Sequence, residues 1–292
     1  MVIDSLEFWL HVGIMISIYV ILVLSSNLMI GLANLLTMCQ AAFYGIGAYI
    51  GTFFLMQFGL PFVIIALLVM AATGLTSLLV SYASVKLRGD YFILATLGFQ
   101  MIVYTILYNW TDVTRGPYGI LGIPSIRLFG LWELSGIYAW FFFAVVLAAV
   151  VAWVFHLIGH SPYGRILKAI RTDELSARAL GRNTTKLKSW AFFISAAFSG
   201  LAGLIYASYV GYIGPTSFTL DESIFIITAL FIGGIGSSVW GPVTGAAVMV
   251  ILSFVGLPNA VEANLRQVIY GLVLVILMFK RPQSLLGDTK MN

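Results

Sequence analysis

FWLHVGIMISIYVILVLSSNLMI (8–30) opens a run that holds no aspartate, glutamate, lysine or arginine until Lys86. A helix crossing a bilayer needs about 20 mainly apolar residues, so the stretch from Phe8 to Val85 is long enough for three crossings. Its punctuation divides it. The first span reads as Phe8 to Ile30, Gly31 and Asn34 interrupt it, and a second continues to about Phe58. The turn signal Gly59-Leu60-Pro61 follows, and a third span runs from Phe62 to Val85. The rest of the 292 residues keeps this character: 61% are hydrophobic and 9% charged, against roughly 25% charged in a soluble domain, and the mean hydropathy is +1.02. That composition excludes a soluble enzyme and a free nucleic-acid binder. A single-span receptor is excluded as well, because no long hydrophilic stretch is left for its extramembrane domain. The chain reads as an all-α polytopic membrane protein, one transmembrane domain over 1–292 with about nine helices (between eight and ten).

Further spans read as Phe92 to Trp110, Tyr138 to Ile158, Trp190 to Tyr212, Ser223 to Phe231, Gly241 to Val255 and Val268 to Phe279. The second, seventh and eighth could each be a broken or re-entrant helix. Residues 111–137 are rich in glycine and proline and read as loop, whereas 159–189 form a charged loop. The N-terminus MVIDSLEFWL places Asp4 and Glu7 where a cleaved signal peptide would be basic, so the first span reads as permanent. With nine spans and the N-terminus outside, 12 of the 15 basic residues fall on the inner side and seven of the 11 acidic ones outside. This is the lysine and arginine bias of cytoplasmic loops.

The inner loop carries Arg165, Lys168, Arg171, Arg178, Arg182, Lys186 and Lys188 against Asp173 and Glu174, a net +5, in a chain whose total is +4. From Tyr163 to Leu180 its apolar residues recur at about helical spacing, Glu174 and Arg178 form a favourable i,i+4 pair, and Gly181 is a helix stop. Two readings fit: a surface helix that fixes topology, or a docking helix presented to a cytosolic partner. Every acidic residue falls in a terminus, a loop or a span boundary, none at a span centre, whereas ion-coupled transporters usually keep an ionisable group inside the membrane. His11 and His156 read as packed or interfacial, and Cys39 as a small buried residue. No phosphate-binding loop, zinc motif or serine nucleophile elbow occurs, so neither a catalytic residue nor a metal ligand is assigned. Any energy source belongs to another subunit, or the protein is a passive channel.

Uncharged polar residues do lie in spans. Asn34, Thr37, Gln40 and Tyr44 recur on one face of the second span, Thr96, Gln100 and Tyr104 on the fourth, and Ser195 with Ser199 on the sixth. Such faces turn away from lipid, either to bond neighbouring helices or to line a translocation path. Gly47/Gly51 and Gly241/Gly245 are small-xxx-small pairs suited to close packing.

LRGDYFILATLGF (87–99), NWTDVTRGPYGILGIPSI (109–126), SPYGRILKAIRTDELSARALGRNTTKLKSWAFFISAAFSGLAGLIYA (161–207), GPTSFTLDESIFIITALFIGGIGSSVWGPVTGA (214–246) and FKRPQSLLG (279–287) resemble the M-type permease subunit of branched-chain amino acid ABC importers. GLANLLTMCQAAFYGIGAYIG (31–51) is similar more loosely, with Met38-Cys39-Gln40 where the family motif commonly has a glycine-histidine pair. The resemblance implies a type II importer-like permease in the bacterial inner membrane, with the C-terminus cytoplasmic. It implies a heterodimer with a homologous second permease, two cytosolic ATPases that bind ATP and magnesium, and a periplasmic or lipid-anchored solute-binding protein. No cofactor is expected in this chain, which contacts lipid and no nucleic acid. The inner loop then carries the coupling helix, with Glu174, Ala177, Leu180 and Gly181 docking and Arg165 in support. The Gly/Pro loop at 115–124 would face the binding protein, and Gly233, Gly234, Gly236, Gly241 and Pro242 would lie near the cytosolic gate. The same machinery could carry urea, short amides or another small solute. A self-sufficient channel or secondary transporter is the reading from another class.

Overall fold

The computed structural model describes residues 6–84, 87, 90–128, 132–134, 136–236 and 239–255. The helices are α1 (Leu6–Asn27), α2 (Gln40–Phe58), α3 (Phe62–Ser84), α4 (Asp90–Asn109), the short α5 (Thr111–Thr114), α6 (Ile137–His160), α7 (Pro162–Thr172), α8 (Glu174–Ala179), α9 (Thr184–Val210), α10 (Leu220–Gly233) and α11 (Trp240–Val255). Among the described residues, seven helical segments are long and apolar enough to cross a membrane, and Trp240–Phe254 is a shorter apolar one. The span read at 268–279, and the C-terminal residues with it, lie outside the described residues.

Helices α1, α2 and α9 form the buried centre, while α3, α4 and α6 turn broad apolar faces outward. The α2–α9 contact is close because its residues are small: a Cβ on Gly47 would stand 2.2 Å from Gly200 Cα, and one on Gly203 would stand 2.0 Å from the Tyr44 carbonyl. Lipid is as apolar as leucine, so close backbone approach of this kind drives helix association in a bilayer. Gly245 meets the Ala229 carbonyl in the same way, joining α11 to α10.

Helix α1 does not stop at Asn27 but widens into a π turn, Leu28–Leu32, and the chain then runs without helical structure until Gln40. The second span therefore begins at Gln40, and Asn34 and Thr37 precede it instead of sharing its face. Asn34 takes a left-handed backbone, φ 54°, which its short polar side chain tolerates. Unpaired backbone at membrane depth must find partners within the protein. Here Leu35 N donates to the Met29 carbonyl at 3.0 Å and Met38 N to Thr96 Oγ1 at 3.1 Å.

Helix α10 has 14 residues and forms the larger part of the 19-residue candidate span Pro215–Gly233. A 3-10 turn, Pro215–Phe218, leads into it. Before that turn, β4 (Tyr212–Ile213) pairs antiparallel with β1 (Ile120–Leu121), Ile120 opposite Ile213. The described residues between 111 and 137 thus form an ordered connection, containing α5, β1 and the pair β2 (Arg127–Leu128) and β3 (Trp132–Glu133). A reading by glycine and proline content alone treats this stretch as loop, because strands of two residues show no periodicity.

Candidate functional site

On the charged side of the bundle, the segment between α6 and α9 folds into two helices, not the single one expected from 163 to 181. Ser161 caps α7, its Oγ accepting from Gly164 N at 3.1 Å, and Pro162 opens the first turn. Asp173 then leaves the helical region (φ −152°, ψ 106°) and its carboxylate accepts from Leu175 N and Ser176 N. An aspartate cap of this kind starts a new helix, so α8 turns away from α7. The Ser176 hydroxyl also donates to Asp173, and these bonds hold the Asp173 carboxyl below its ordinary range. Helix α9 begins at Thr184, earlier than expected from hydropathy, because Asn183 caps it by accepting from Lys186 N at 3.0 Å and its first turns carry lysines.

The residues expected to dock a partner divide in this structure. Glu174 accepts from Arg178 Nη2 at 2.7 Å, Lys188 Nζ at 2.8 Å and Thr184 Oγ1 at 3.0 Å. Partial burial pushes this carboxyl up, but the Lys188 and Thr184 hydrogen bonds and the Lys188 and Arg178 charges more than offset it and hold it below the usual glutamate range. Ala177 is 5% exposed and faces inward. Glu174 fastens α8 to α9 through Thr184 and Lys188, and neither residue is displayed on the surface. Leu180 is 82% exposed, and Gly181 ends the helix at φ +78° with open space around it. Arg165 is exposed on α7 and reaches the His160 carbonyl. Leu175, 65% exposed, was not singled out in the sequence; as the apolar residue between two polar neighbours in Glu174-Leu175-Ser176, it carried the signal.

Arg171, at the end of α7, points back into the bundle. Its Nη1 donates to the Gly31 carbonyl in the π turn at 2.6 Å, and burial lowers its proton affinity. The same guanidinium lies against Gly236, where a Cβ would stand 2.2 Å from Nη1. Gly236 N in turn donates to Asn27 Oδ1 at 3.1 Å. Three elements therefore meet at one point: the end of α7, the π turn after α1, and the glycine turn that begins at Gly234 (φ 116°) and Gly236 (φ 74°) between α10 and α11. Gly233 packs on the Gly241 carbonyl, with Pro242 following in the first turn of α11.

The interior polar residues form two clusters. Gln40 Nε2 lies 2.7 Å from Ser25 Oγ, 3.3 Å from Ser195 Oγ and 2.5 Å from Ser199 Oγ. Ser195 Oγ donates to the Ser25 carbonyl at 2.8 Å. All four residues are fully buried. This is a closed knot between α1, α2 and α9, and it corresponds to the helix-bonding reading of these polar faces. The second cluster surrounds the start of α10. Gln100 Nε2 donates to the Phe218 carbonyl at 2.9 Å, Ser223 Oγ lies 3.4 Å from Gln100 Oε1, and Ala41 N donates to Ser223 Oγ at 3.0 Å. Tyr104 stacks on Tyr108 and joins neither cluster. Thr37 and Tyr44 are buried, with hydroxyls that have no hydrogen-bond partner among the described residues.

One expectation is overturned here. Glu222 is not held at a span boundary: Tyr19 Oη donates to its Oε1 at 2.6 Å, and Tyr19 is the central residue of the helical segment Leu6–Leu32. A carboxylate does stand inside the bundle. A span starting at Ser223 leaves both acids just outside it, whereas the observed span starts at Pro215 and includes them. The histidines agree with their sequence reading: His11 Nδ1 pairs with Tyr209 Oη at 2.6 Å, and the exposed His156 stacks on His160. Cys39 is buried and free. No cluster suited to a metal ion occurs among the described residues.

A family model described as a branched-chain amino acid transport system permease component matches residues 9–278. The high-affinity branched-chain amino acid transport permease LivM of Salmonella typhimurium is 36% identical over 306 aligned positions, covering 96% of this chain and 70% of that protein. The Escherichia coli LivM is 35% identical, covering 94% and 68%. The autoinducer 2 import permease LsrC of Salmonella typhi is 31% identical over 64% of this chain and 54% of that protein. No solved structure matches significantly.

Proposed function

Because the chain belongs to the branched-chain amino acid transport permease family and is a multi-pass inner-membrane permease subunit of an ABC importer, we propose the following division of labour for it. The whole chain is one transmembrane domain with a type II importer-like fold, its N-terminus outside and its C-terminus cytoplasmic. It pairs with a homologous permease, receives its amino acid from a solute-binding protein, and performs no catalysis itself. ATP and magnesium are bound by two cytosolic ATPases.

The observation that carries this assignment is the construction of α7 and α8. Glu174 and Ala177 fix one side of α8 to the bundle, leaving Leu175 and Leu180 exposed on the cytosolic side. Two isolated leucines on a rigid, charged helix pair suit a shallow apolar groove rimmed by acidic residues, with Gly181 allowing close approach and Arg165 at the rim. Movement of the ATPases would reach the bundle through Arg171, which holds both the π turn and the glycine turn. In this reading Gly233, Gly234, Gly236, Gly241 and Pro242 form the cytosolic gate. Asn34 and Thr37, in the non-helical stretch, and Tyr44 line the path. Gln40, Ser195 and Ser199 brace it, with Thr96 and Gln100 anchoring its walls.

The test is ATP hydrolysis by the complete transporter in nanodiscs, with and without loaded binding protein. Leu180→Arg is expected to abolish the stimulation while the bundle remains folded by size-exclusion chromatography. Full stimulation in that variant would overturn the docking role.

A further inference from the structure

Glu222 stands in the first turn of α10, the eighth residue of the 19-residue span Pro215–Gly233. Its hydrogen bond from the Tyr19 hydroxyl is 2.6 Å long. A carboxylate away from bulk water is costly unless a cation accompanies it. Among the described residues, no lysine, arginine or histidine forms an ion pair with Glu222. Two further phenols lie near it. The Tyr44 and Tyr206 rings are 5.5 Å apart, and both side chains are within electrostatic reach of the Glu222 carboxyl. Tyr44 is 1% exposed and its hydroxyl has no partner among the described residues, although a buried hydroxyl is ordinarily satisfied. Tyr19, Tyr206 and Glu222 themselves are only partly buried.

A carboxyl oxygen, an unused hydroxyl acceptor and several aromatic rings match the needs of one ligand group, a primary ammonium. It would supply the absent counter-charge, donate to the Tyr44 oxygen, and gain from the ring faces. Phe218 and Phe225 flank the same place, at 5.1 Å from the Tyr44 ring and 5.0 Å from the Tyr19 ring, and offer apolar surface to a side chain. We propose that Glu222, Tyr19, Tyr44 and Tyr206 form a site within the bundle that receives the α-ammonium group of the amino acid as it crosses. This rests on the reading of the chain as an amino acid importer.

Three probes separate the alternatives in the complete transporter without binding protein, read by thermal shift: leucine, leucinol (ammonium without carboxylate) and 4-methylpentanoate (carboxylate without ammonium). Wild type is expected to be protected by leucine and leucinol but not by 4-methylpentanoate. Glu222→Gln, which preserves shape and the bond from Tyr19, is expected to lose both protections. Its leucine uptake should fall by about tenfold or more. Tyr44→Phe, which removes only an oxygen without a partner, should weaken leucinol protection in a protein of unchanged stability. Wild-type uptake in Glu222→Gln, or equal protection by 4-methylpentanoate, would overturn the site. Leucinol protection that depends on Glu222, in a wild type that imports no leucine with any binding protein, would keep the site and overturn the import reading instead.

Discussion

Gln40 illustrates how a single residue holds the centre of the molecule. Its amide faces three serine hydroxyls from α1 and α9, in surroundings from which lipid and water are both excluded. Membrane hydrogen bonds are individually modest, about 0.6 to 2 kcal/mol, but removing one partner leaves the others buried and unpaired. Gln40→Leu is therefore expected to destabilise the purified protein by about 1–3 kcal/mol, seen as a lower unfolding midpoint. Gln40→Asn, too short to reach all three serines, should fall between. Gln40, Ser195 and Ser199 were legible as polar residues on inward faces, because a period near 3.6 is visible in sequence. That they share one knot was not, since nothing local brings residue 40 to residue 199. Ser25 was passed over because the run Ser25-Ser26-Asn27 reads as the end of an apolar span, whereas the π turn carries the helix past it.

At the scale of elements, α8 is a six-residue helix whose persistence depends on charge more than on length. Isolated helices of that size do not form in water; this one is started by the Asp173 cap and fixed by Glu174 to Lys188 and Arg178. The pH consequence follows from the direction of the Glu174 shift. A carboxyl held below its usual value stabilises the fold at pH above the ordinary glutamate range, near 4.3, and that contribution is lost as pH falls through the depressed native value. Amide-exchange protection of residues 174–180 should be constant above about pH 5 and decline on acidification. Glu174→Gln should lower that protection at neutral pH and flatten its acid dependence. A protection profile with the same acid dependence in Glu174→Gln would show that the ion pairs do not hold α8. The sequence placed a helix in this region correctly but joined α7 to α8. Helical spacing continued through Asp173, and the capping role of an aspartate after Thr172 outweighs two turns of periodicity.

For the molecule as a whole, the arrangement around Arg171 ties the end of α7 to the π turn and the glycine turn, and in the proposed mechanism it carries the stroke. The polar faces, the charged loop and the span order are local properties and could be read along the chain. Contact between residues 171, 31 and 236 is a property of the tertiary fold, and no charge pattern announces that Arg171, of the seven loop cations, reaches the π turn. In an arrangement of this kind, both sites must bias a common two-state element, and the π turn is a suitable one because its backbone already departs from the regular ladder. Arg171→Ala removes the link while leaving Leu175 and Leu180 untouched on α8. Its ATPase partners should therefore still bind, and basal hydrolysis should stay within about twofold of wild type. Leucine moved per ATP hydrolysed should fall by about tenfold, because closure of the ATPases no longer reaches Gly31 and Gly236. Arg171→Lys separates geometry from charge: a lysine keeps the positive charge but lacks the planar fork, so partial recovery would indicate that the charge at the Gly31 carbonyl matters, and none that the guanidinium shape does. Unchanged transport stoichiometry in Arg171→Ala would mean that the stroke reaches the bundle by another route, with the Glu174–Lys188 bond between α8 and α9 the remaining rigid connection.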